Sequence, residues 1–273
     1  MIKAAVLGSP ISHSLSPLLH RRAYELLGVE ASYQAIELNH EQATNFLYPL
    51  VSEPATSDWS GFSLTMPLKE AAFDAVLSPY IKVDELAERF QTVNTLVKNE
   101  GSYFATSTDL RAISRLIVPF KKSRALILGA GGTARAALGA LDGVADHVAV
   151  AVRNPQRAQA LVDCVRSSHV SIVDFEVDAS EYELIISTLP SSAQEVSQKM
   201  VHDYRDGLYF EVLYQPMPTT ALASARGNGA QTLDGLDLLV EQALDQIAFF
   251  SQMEFDRETM RVELLDVARR ACG

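Results

Sequence analysis

A glycine-rich turn, Gly129-Ala130-Gly131-Gly132-Thr133-Ala134, follows the apolar run Ala125-Leu126-Ile127-Leu128 and leads into helix formers from Arg135 to Leu141. Strand, tight glycine turn and helix is the setting in which such glycines bind a dinucleotide. The glycines let the backbone approach a pyrophosphate, and the helix N-terminus offers N–H donors and the positive end of its dipole. The next expected strand, His147 to Val152, ends at Arg153, and Asn154 and Arg157 follow. An NAD site usually places an acid there, about 20 residues past the glycines, to accept from the ribose 2′-OH. A guanidinium there pairs with a 2′-phosphate instead and can stack on adenine. The expected cofactor is therefore NADP(H); two solvated arginines on a surface loop are the competing account.

The residues ahead of this unit hold further polar groups at element ends. Residues 8–17, GSPISHSLSP, place Ser12, His13, Ser14 and Ser16 between a strand and a helix start. Hydroxyls beside the N–H groups of a helix N-terminus can hold a carboxylate without a full positive charge. Capping by Ser16 in an otherwise polar loop accounts for the same pattern, and a single loop histidine is more often a hydrogen-bonder than a base. Residues 61–69, GFSLTMPLK, set Thr65 at a strand end and Lys69 on the first turn of a helix. An ammonium is unfavourable at that end of a helix dipole, so Lys69 is either a surface lysine or one placed for proton transfer. Asn94 offers an amide donor and acceptor, and Asp109 lies at a helix N-terminus, where a carboxylate is comfortable for purely structural reasons as well.

Alternating elements must position these groups. Strands are expected at Ile2–Leu7, Tyr33–Leu38, Phe62–Thr65, Thr92–Val97 and Ser102–Ala105, the last two joined by a turn at Asn99-Glu100-Gly101. Ser16 reads as an N-cap with Pro17 at the first helical position and Gly28 as the stop. Pro67 is expected to open a helix through Lys69 and Phe73, and Thr108 to cap one bearing Leu110, Ile113, Leu116 and Ile117. Leu184 to Leu189 reads as a buried strand, and Leu236, Leu239, Val240, Ala243, Leu244 and Ile247 form a helical stripe. Such β–α alternation implies parallel or mixed sheets covered by helices.

Bulk properties suit a soluble enzyme. The 273 residues exceed one typical domain, 48% are hydrophobic and 21% charged. No apolar run approaches the ~20 residues of a membrane span, and the N-terminus opens on a strand rather than a signal peptide. Cys164 and Cys272 have no metal spacing and imply no disulfide framework. A cytoplasmic location is the default expectation. The net charge of −11 disfavours nucleic-acid or anionic-membrane partners, so an anionic substrate would need locally gathered cations. The scattered histidines lack ligand spacing, and no metal is expected.

Taken in order, these strings resemble the shikimate dehydrogenase family over essentially the whole chain. That family shows G-x-P-I-x-H-S-x-S-P, G-x-N-V-T-x-P-x-K, a-x-N-T, G-x-N-T-D-x-x-G and G-A-G-G-x-x-R-A. Late in the chain come Tyr-x-Pro-x-x-T, here Tyr214 to Thr219, and G-x-x-x-L-V-x-Q-A, here residues 235–243. The resemblance implies reversible NADPH-dependent reduction of 3-dehydroshikimate to shikimate, a step toward chorismate and the aromatic amino acids. It implies that Ser14 and Ser16 hold the carboxylate, and that Thr65, Asn94, Asp109 and Gln242 surround the ring hydroxyls. Lys69 matches the catalytic lysine, with Asp109 expected within hydrogen-bond reach as its partner. Tyr214 would lie near the nicotinamide. Ser187, Thr188, Leu189 and Gly235 would join Gly129, Ala130, Gly131, Gly132, Thr133, Ala134, Arg153, Asn154 and Arg157 around the cofactor. The chain departs from the pattern at Ser63, Ala105, Ser107, Ala112, Glu211 and Leu238. Alanine for glycine beside Asp109 restricts backbone angles or close approach, so a slightly remodelled pocket floor is expected.

The expected architecture is α/β with two domains. A substrate domain with a mixed sheet would comprise residues 1–110, completed by C-terminal helices in 238–273. A Rossmann-like NADP-binding domain with a parallel sheet would comprise 111–237, with the active site in the cleft between the two. The partners expected are the small-molecule substrate and, for assembly, a monomer or homodimer. A paralogue acting on quinate or aminoshikimate is the first alternative; a non-catalytic NADP-binding regulator is the second.

Overall fold

In the computed structural model, which describes residues 1–120 and 122–272 and leaves the side chain of Arg157 outside that description, the chain forms two compact units. One comprises Met1–Thr108 and Leu239–Ala271; the other comprises Asp109–Leu238 with Cys272. The chain passes between them within the helices Thr108–Leu116 and Gly235–Ser251, and again at the end of Arg257–Cys272.

In the first unit, β1 (Ile2–Gly8), β2 (Ala31–Glu37), β3 (Gly61–Leu64), β4 (Ile81–Val83), β5 (Thr95–Asn99) and β6 (Ser102–Thr106) form one sheet in the order β2-β1-β3-β5-β6-β4. β1 is parallel to both β2 and β3, and β4 is parallel to β6, whereas β5 is antiparallel to β3 and β6. The sheet is mixed because β5 and β6 are joined by a tight turn, with Glu100 and Gly101 at φ 46° and 77°, while β1, β2 and β3 need helical crossovers. Helix α1 (Ser16–Leu27) is one crossover, closed by Gly28 at φ 66°, and α2 (His40–Ser52) is the next, opened by an Asn39–Gln42 capping box. The core under the sheet gathers Leu7, Leu47, Phe62, Leu64, Leu68, Leu96 and Tyr103. Helix α3 (Glu85–Arg89) is capped by Asp84.

Three local expectations change. Ser16 is not the N-cap of α1: Leu15 takes that place in a helical conformation, and Ser16 is the first helical residue, with Pro17 after it. Pro67 opens no α-helix; Leu68–Phe73 is a 3₁₀ helix, and Asp74 leaves it in extended ψ. Asn94 precedes β5 instead of lying within a strand that starts at Thr92.

The second unit is a doubly wound parallel sheet in the order β12-β11-β10-β7-β8-β9. Its chain order after α4 (Thr108–Leu116) is β7 (Arg124–Leu128), α5 (Gly132–Leu141), β8 (His147–Ala151), α6 (Pro155–Val162), β9 (His169–Val173) and β10 (Leu184–Ser187). Then come α7 (Gln194–Met200), β11 (Leu208–Glu211), α8 (Thr220–Gly227), β12 (Gln231–Leu233) and α9 (Gly235–Ser251), with α10 (Arg257–Cys272) ending the chain. The central strands β7 and β10 carry a continuous buried apolar run, Ala125–Leu128 beside Leu184–Ile186, as strands covered on both faces must.

Ala105 and Ala112 are fully buried. Neither has a positive φ, and Ala105 pairs with Leu96 in an ordinary strand register. The backbone there makes no demand for glycine, so these substitutions fill core space without straining the chain.

Candidate active site

Parallel pairing brings the C-terminal ends of β1 and β3 side by side, where open α/β sheets place their ligands. The Thr65 N–H donates to Leu7 O at 2.9 Å, and the Ser9 N–H donates to Met66 O at 2.9 Å. Lys69 lies half-buried in the 3₁₀ turn that follows, and its carbonyl accepts the Val93 N–H at 2.8 Å. The Asn94 carbonyl accepts the Leu64 N–H at 2.8 Å. Thr65 and Lys69 are thus stitched by backbone bonds to the same sheet end as Asn94, which lies well beyond them in the chain.

Asn94 is 3% exposed, and its amide orientation is determined by its partners. Its Oδ1 accepts from the Thr108 N–H at 2.7 Å, the Thr108 hydroxyl at 3.0 Å and the Thr95 hydroxyl at 3.2 Å. A backbone N–H can only donate, so the oxygen must face it. The Asn94 Nδ2 then donates to Gln242 Oε1 at 3.4 Å, and Gln242 Nε2 donates to Leu239 O at 2.6 Å. Of the donor and acceptor that the asparagine offered, the acceptor serves the fold.

Ser14 Oγ accepts the Ser16 N–H at 3.3 Å, and Ser16 is buried near the Tyr33 hydroxyl. His13 is exposed. Beneath these groups lies a buried polar cluster that sequence reasoning missed: His20, Tyr24, Tyr33, Ser63, Thr95 and Gln246. The Tyr33 hydroxyl donates to Ser63 Oγ at 2.7 Å, and Ser63 donates to Gln246 Oε1 at 2.8 Å. Gln246 Nε2 donates to Asn94 O at 3.3 Å and to Thr95 Oγ1 at 3.0 Å. With Gln246 Oε1 turned toward it at 3.3 Å, His20 must carry its proton on Nε2 and accept from the Tyr24 hydroxyl through Nδ1 at 3.1 Å. Complete burial pushes the His20 pKa down to about 3, so the ring is neutral; the Gln246 bond opposes that shift in part. One signal for this cluster was present in the sequence: Gln246 interrupts the apolar stripe of α9.

In the second unit the glycine turn joins β7 to α5. Gly129 has φ 109°, and a Cβ there would come within 2.6 Å of Thr188 Oγ1, so only glycine fits. Thr188 reaches back to Leu128 O from both its N–H, at 3.0 Å, and its hydroxyl, at 2.8 Å. Ala130 and Gly131 lead into α5, which has Gly131 at its N-cap with no side-chain cap bond; Gly132 and Thr133 are partly buried on its first turn, and Ala134 is buried. Arg153, just past β8, is exposed and forms no ion pair with described residues. Asn154 caps α6 through an Oδ1 bond from the Gln156 N–H at 3.0 Å, while the side chain of Arg157 lies outside the described residues.

Other expected cofactor residues are turned inward. The Ser187 hydroxyl is fully buried and bonded to Ser197 at 3.1 Å, and the Leu189 side chain belongs to the unit's core. Gly235 opens α9 against backbone: a Cβ there would meet Val212 O at 2.5 Å and Leu213 O at 2.7 Å. Tyr214, half-buried, follows that segment. The segment is anchored by Glu211, which is fully buried and accepts from Tyr209 at 2.7 Å, the Leu213 N–H at 3.3 Å, and Thr219 and Gln194 at 3.4 Å each. Burial pushes its pKa up, against those hydrogen bonds.

A glycine turn that a side chain would fill, a helix start with no side-chain cap and an arginine where an acid would favour NAD together fit a dinucleotide with a 2′-phosphate. Asp109 is 6% exposed on the first turn of α4. Among the described residues no group of three or more His, Cys, Asp or Glu could hold a metal ion, and no helix is long and apolar enough to cross a membrane.

Residues 6–96 match the family model described as the shikimate dehydrogenase substrate binding domain, and residues 112–210 match that of shikimate / quinate 5-dehydrogenase. The chain belongs to the shikimate dehydrogenase family. A shikimate dehydrogenase (NADP(+)) from an Exiguobacterium species is 32% identical over 243 residues, covering 87% of this chain and 88% of the relative. One from Staphylococcus aureus is 27% identical over 279 residues, covering 97% of this chain and 98% of the relative. Among solved shikimate dehydrogenases, the Mycobacterium tuberculosis structure superimposes with a TM-score of 0.81 at 30% identity, covering 97% of this chain and 99% of that one. The Thermus thermophilus structure, in complex with NADP(H) and shikimate, does so with a TM-score of 0.81 at 32% identity, covering 99% of this chain and 100% of that one. These relatives share the two-domain α/β fold, and membership makes this shikimate dehydrogenase relative an oxidoreductase.

Proposed function

We propose that this chain interconverts 3-dehydroshikimate and shikimate with NADP(H), using Lys69 and Asp109 as its catalytic pair. The observation that carries the reading is the convergence of Thr65, Lys69 and Asn94 at the ends of β1 and β3, with Gln242 on the Asn94 amide. NADPH, when bound, supplies the hydride to the carbonyl carbon. The chain's own residues do the rest. Ser14 and Ser16 hold the substrate carboxylate by hydroxyl and N–H donors, Thr65 and Asn94 bind ring oxygens, and Gln242 holds the Asn94 amide. Lys69 Nζ stabilises the charge developing on the carbonyl oxygen and gives it a proton, and takes that proton back in the reverse direction. Asp109 orients the ammonium. Tyr214 stands at the nicotinamide end of the substrate. Gly129 to Ala134, Thr188 and the backbone at Ser187 and Leu189 cradle the pyrophosphate side. Arg153, with Asn154 and Arg157, receives the 2′-phosphate, and Gly235 lets α9 begin beside Tyr214.

The activities named for the Exiguobacterium and Staphylococcus relatives and the ligands of the Thermus structure support this assignment. Steady-state oxidation of shikimate and of quinate, each with NADP and with NAD, tests it. The expected result is a clear preference for shikimate with NADP. Preference for quinate or for NAD would overturn the assignment of substrate or of Arg153, and a folded protein with no turnover would overturn the enzymatic reading altogether.

A further inference from the structure

Gln246 is 1% exposed and uses both ends of its amide. Its oxygen takes the Ser63 hydroxyl at 2.8 Å and faces His20 Nε2 at 3.3 Å; its nitrogen gives to Asn94 O at 3.3 Å and Thr95 Oγ1 at 3.0 Å. Asn94 O can only accept, so the amide cannot flip without setting oxygen against oxygen. From Gln246 the bonds run one way to Ser63 and on to Tyr33, whose hydroxyl lies near Ser16, and the other way to Thr95 and Asn94. These two ends are the group assigned to the substrate carboxylate and a group assigned to its ring oxygens. Ser63 is where the family pattern has an asparagine, and its short hydroxyl leaves room for the Tyr33 and Gln246 side chains to meet on it.

We infer that Gln246 is a positioning residue that, through Ser63 and Tyr33 on one side and Asn94 and Thr95 on the other, sets the spacing between the carboxylate-binding and hydroxyl-binding ends of the site. This rests on the shikimate reading above. The ligand class it selects is a cyclic hydroxy acid whose carboxylate and far ring oxygen stand at one fixed separation. Gln246 itself touches neither end of the ligand; it acts through Asn94 and Ser16.

A double-mutant cycle on the full-length enzyme tests this, with KM for shikimate, KM for NADP, kcat and thermal midpoint read for each variant. Gln246→Leu is expected to raise KM for shikimate about five- to tenfold, the size of one or two lost neutral hydrogen bonds, and to leave KM for NADP within about twofold. In an Asn94→Ala background the same change should have a clearly smaller effect, because the Asn94 amide it helps to place is gone while the Ser63–Tyr33 side remains. A merely structural role would instead give equal fold-changes in both backgrounds, and that result overturns the inference. If Gln246→Leu does not fold, Ser63→Ala takes its place, with a smaller rise in KM for shikimate that Ser63→Thr restores; an unchanged KM in Ser63→Ala then overturns it. Failure of the underlying reading looks different: wild-type enzyme that does not turn over shikimate, or Asn94→Ala with wild-type KM.

Discussion

Thr108 donates twice to one oxygen of Asn94, from its backbone N–H at 2.7 Å and from its hydroxyl at 3.0 Å. The Thr108 hydroxyl hydrogen is thus directed at the asparagine proposed for the substrate site. Asn94→Asp keeps an oxygen for these donors but replaces the Nδ2 donor with an anion. The expected outcome is a rise of more than about tenfold in KM for shikimate with a thermal midpoint within a few degrees of wild type. A large loss of stability without a change in KM would remove Asn94 from binding.

Lys69→Ala should lower kcat by about three orders of magnitude with little change in KM, because the ammonium is needed where charge develops rather than where substrate first rests. Steady-state rates with shikimate and NADP check this. A rise in KM with kcat intact would take Lys69 out of the chemical step.

Arg153 is exposed at the end of β8 and forms no ion pair with described residues, so its removal should cost the fold nothing. Arg153→Ala is expected to raise KM for NADP about ten- to hundredfold and leave KM for NAD as it was, the mark of a lost phosphate contact. Parallel changes with both cofactors would mean that Arg153 does not read the 2′-phosphate.

His20 links stability to acid. Its folded pKa of about 3 lies below the ordinary 6.5, so between those values the unfolded chain binds more protons. Stability therefore rises with pH across that window and is lost as pH falls through it, by about 2 kcal/mol from about pH 7 to pH 5. Urea unfolding of wild type and His20→Gln at both pH values should show the steeper loss in wild type. Equal losses would mean that His20 is not held neutral.

Glu211 acts in the opposite sense. Burial raises its pKa above 4.5, so the folded protein binds the extra proton and stability falls as pH climbs past that value. Protonated, the carboxyl can donate, and Gln194 Oε1 next to it is buried with no hydrogen-bond partner. Glu211→Gln should therefore be more stable than wild type at about pH 8 and no more stable at about pH 5. A variant that is equally destabilised at both values would show that the carboxylate is needed in its charged form.

The parts of the fold that could be read from the chain were those whose partners are near in sequence. The glycine turn, the strand ahead of it and Arg153 past the next strand lie within one β–α–β stretch, and each carries its own signal. Boundaries went astray where neighbours competed. In Leu15-Ser16-Pro17 the serine reads as the cap of α1, and the backbone places Leu15 there instead. After Pro67, Lys69 looked like a helical residue, but the stretch forms only 3₁₀ turns before Asp74. Asn94 stands out as a candidate for its amide and by resemblance, but its setting could not be foreseen. Thr108 is 14 residues away and Gln242 and Gln246 are 148 and 152 away, so only the folded sheet brings them together.

Gln242 and Gln246 sit one turn apart on α9, some ~40° from each other about the helix axis. They share a phase. A single-residue deletion between Leu239 and Gln242 would swing both amides by about 100° and bring Ala243 and Ile247 into their places, and an insertion would bring Glu241 and Asp245. In this stretch of α9 the count of residues is therefore held as tightly as the type of residue at 242 and 246.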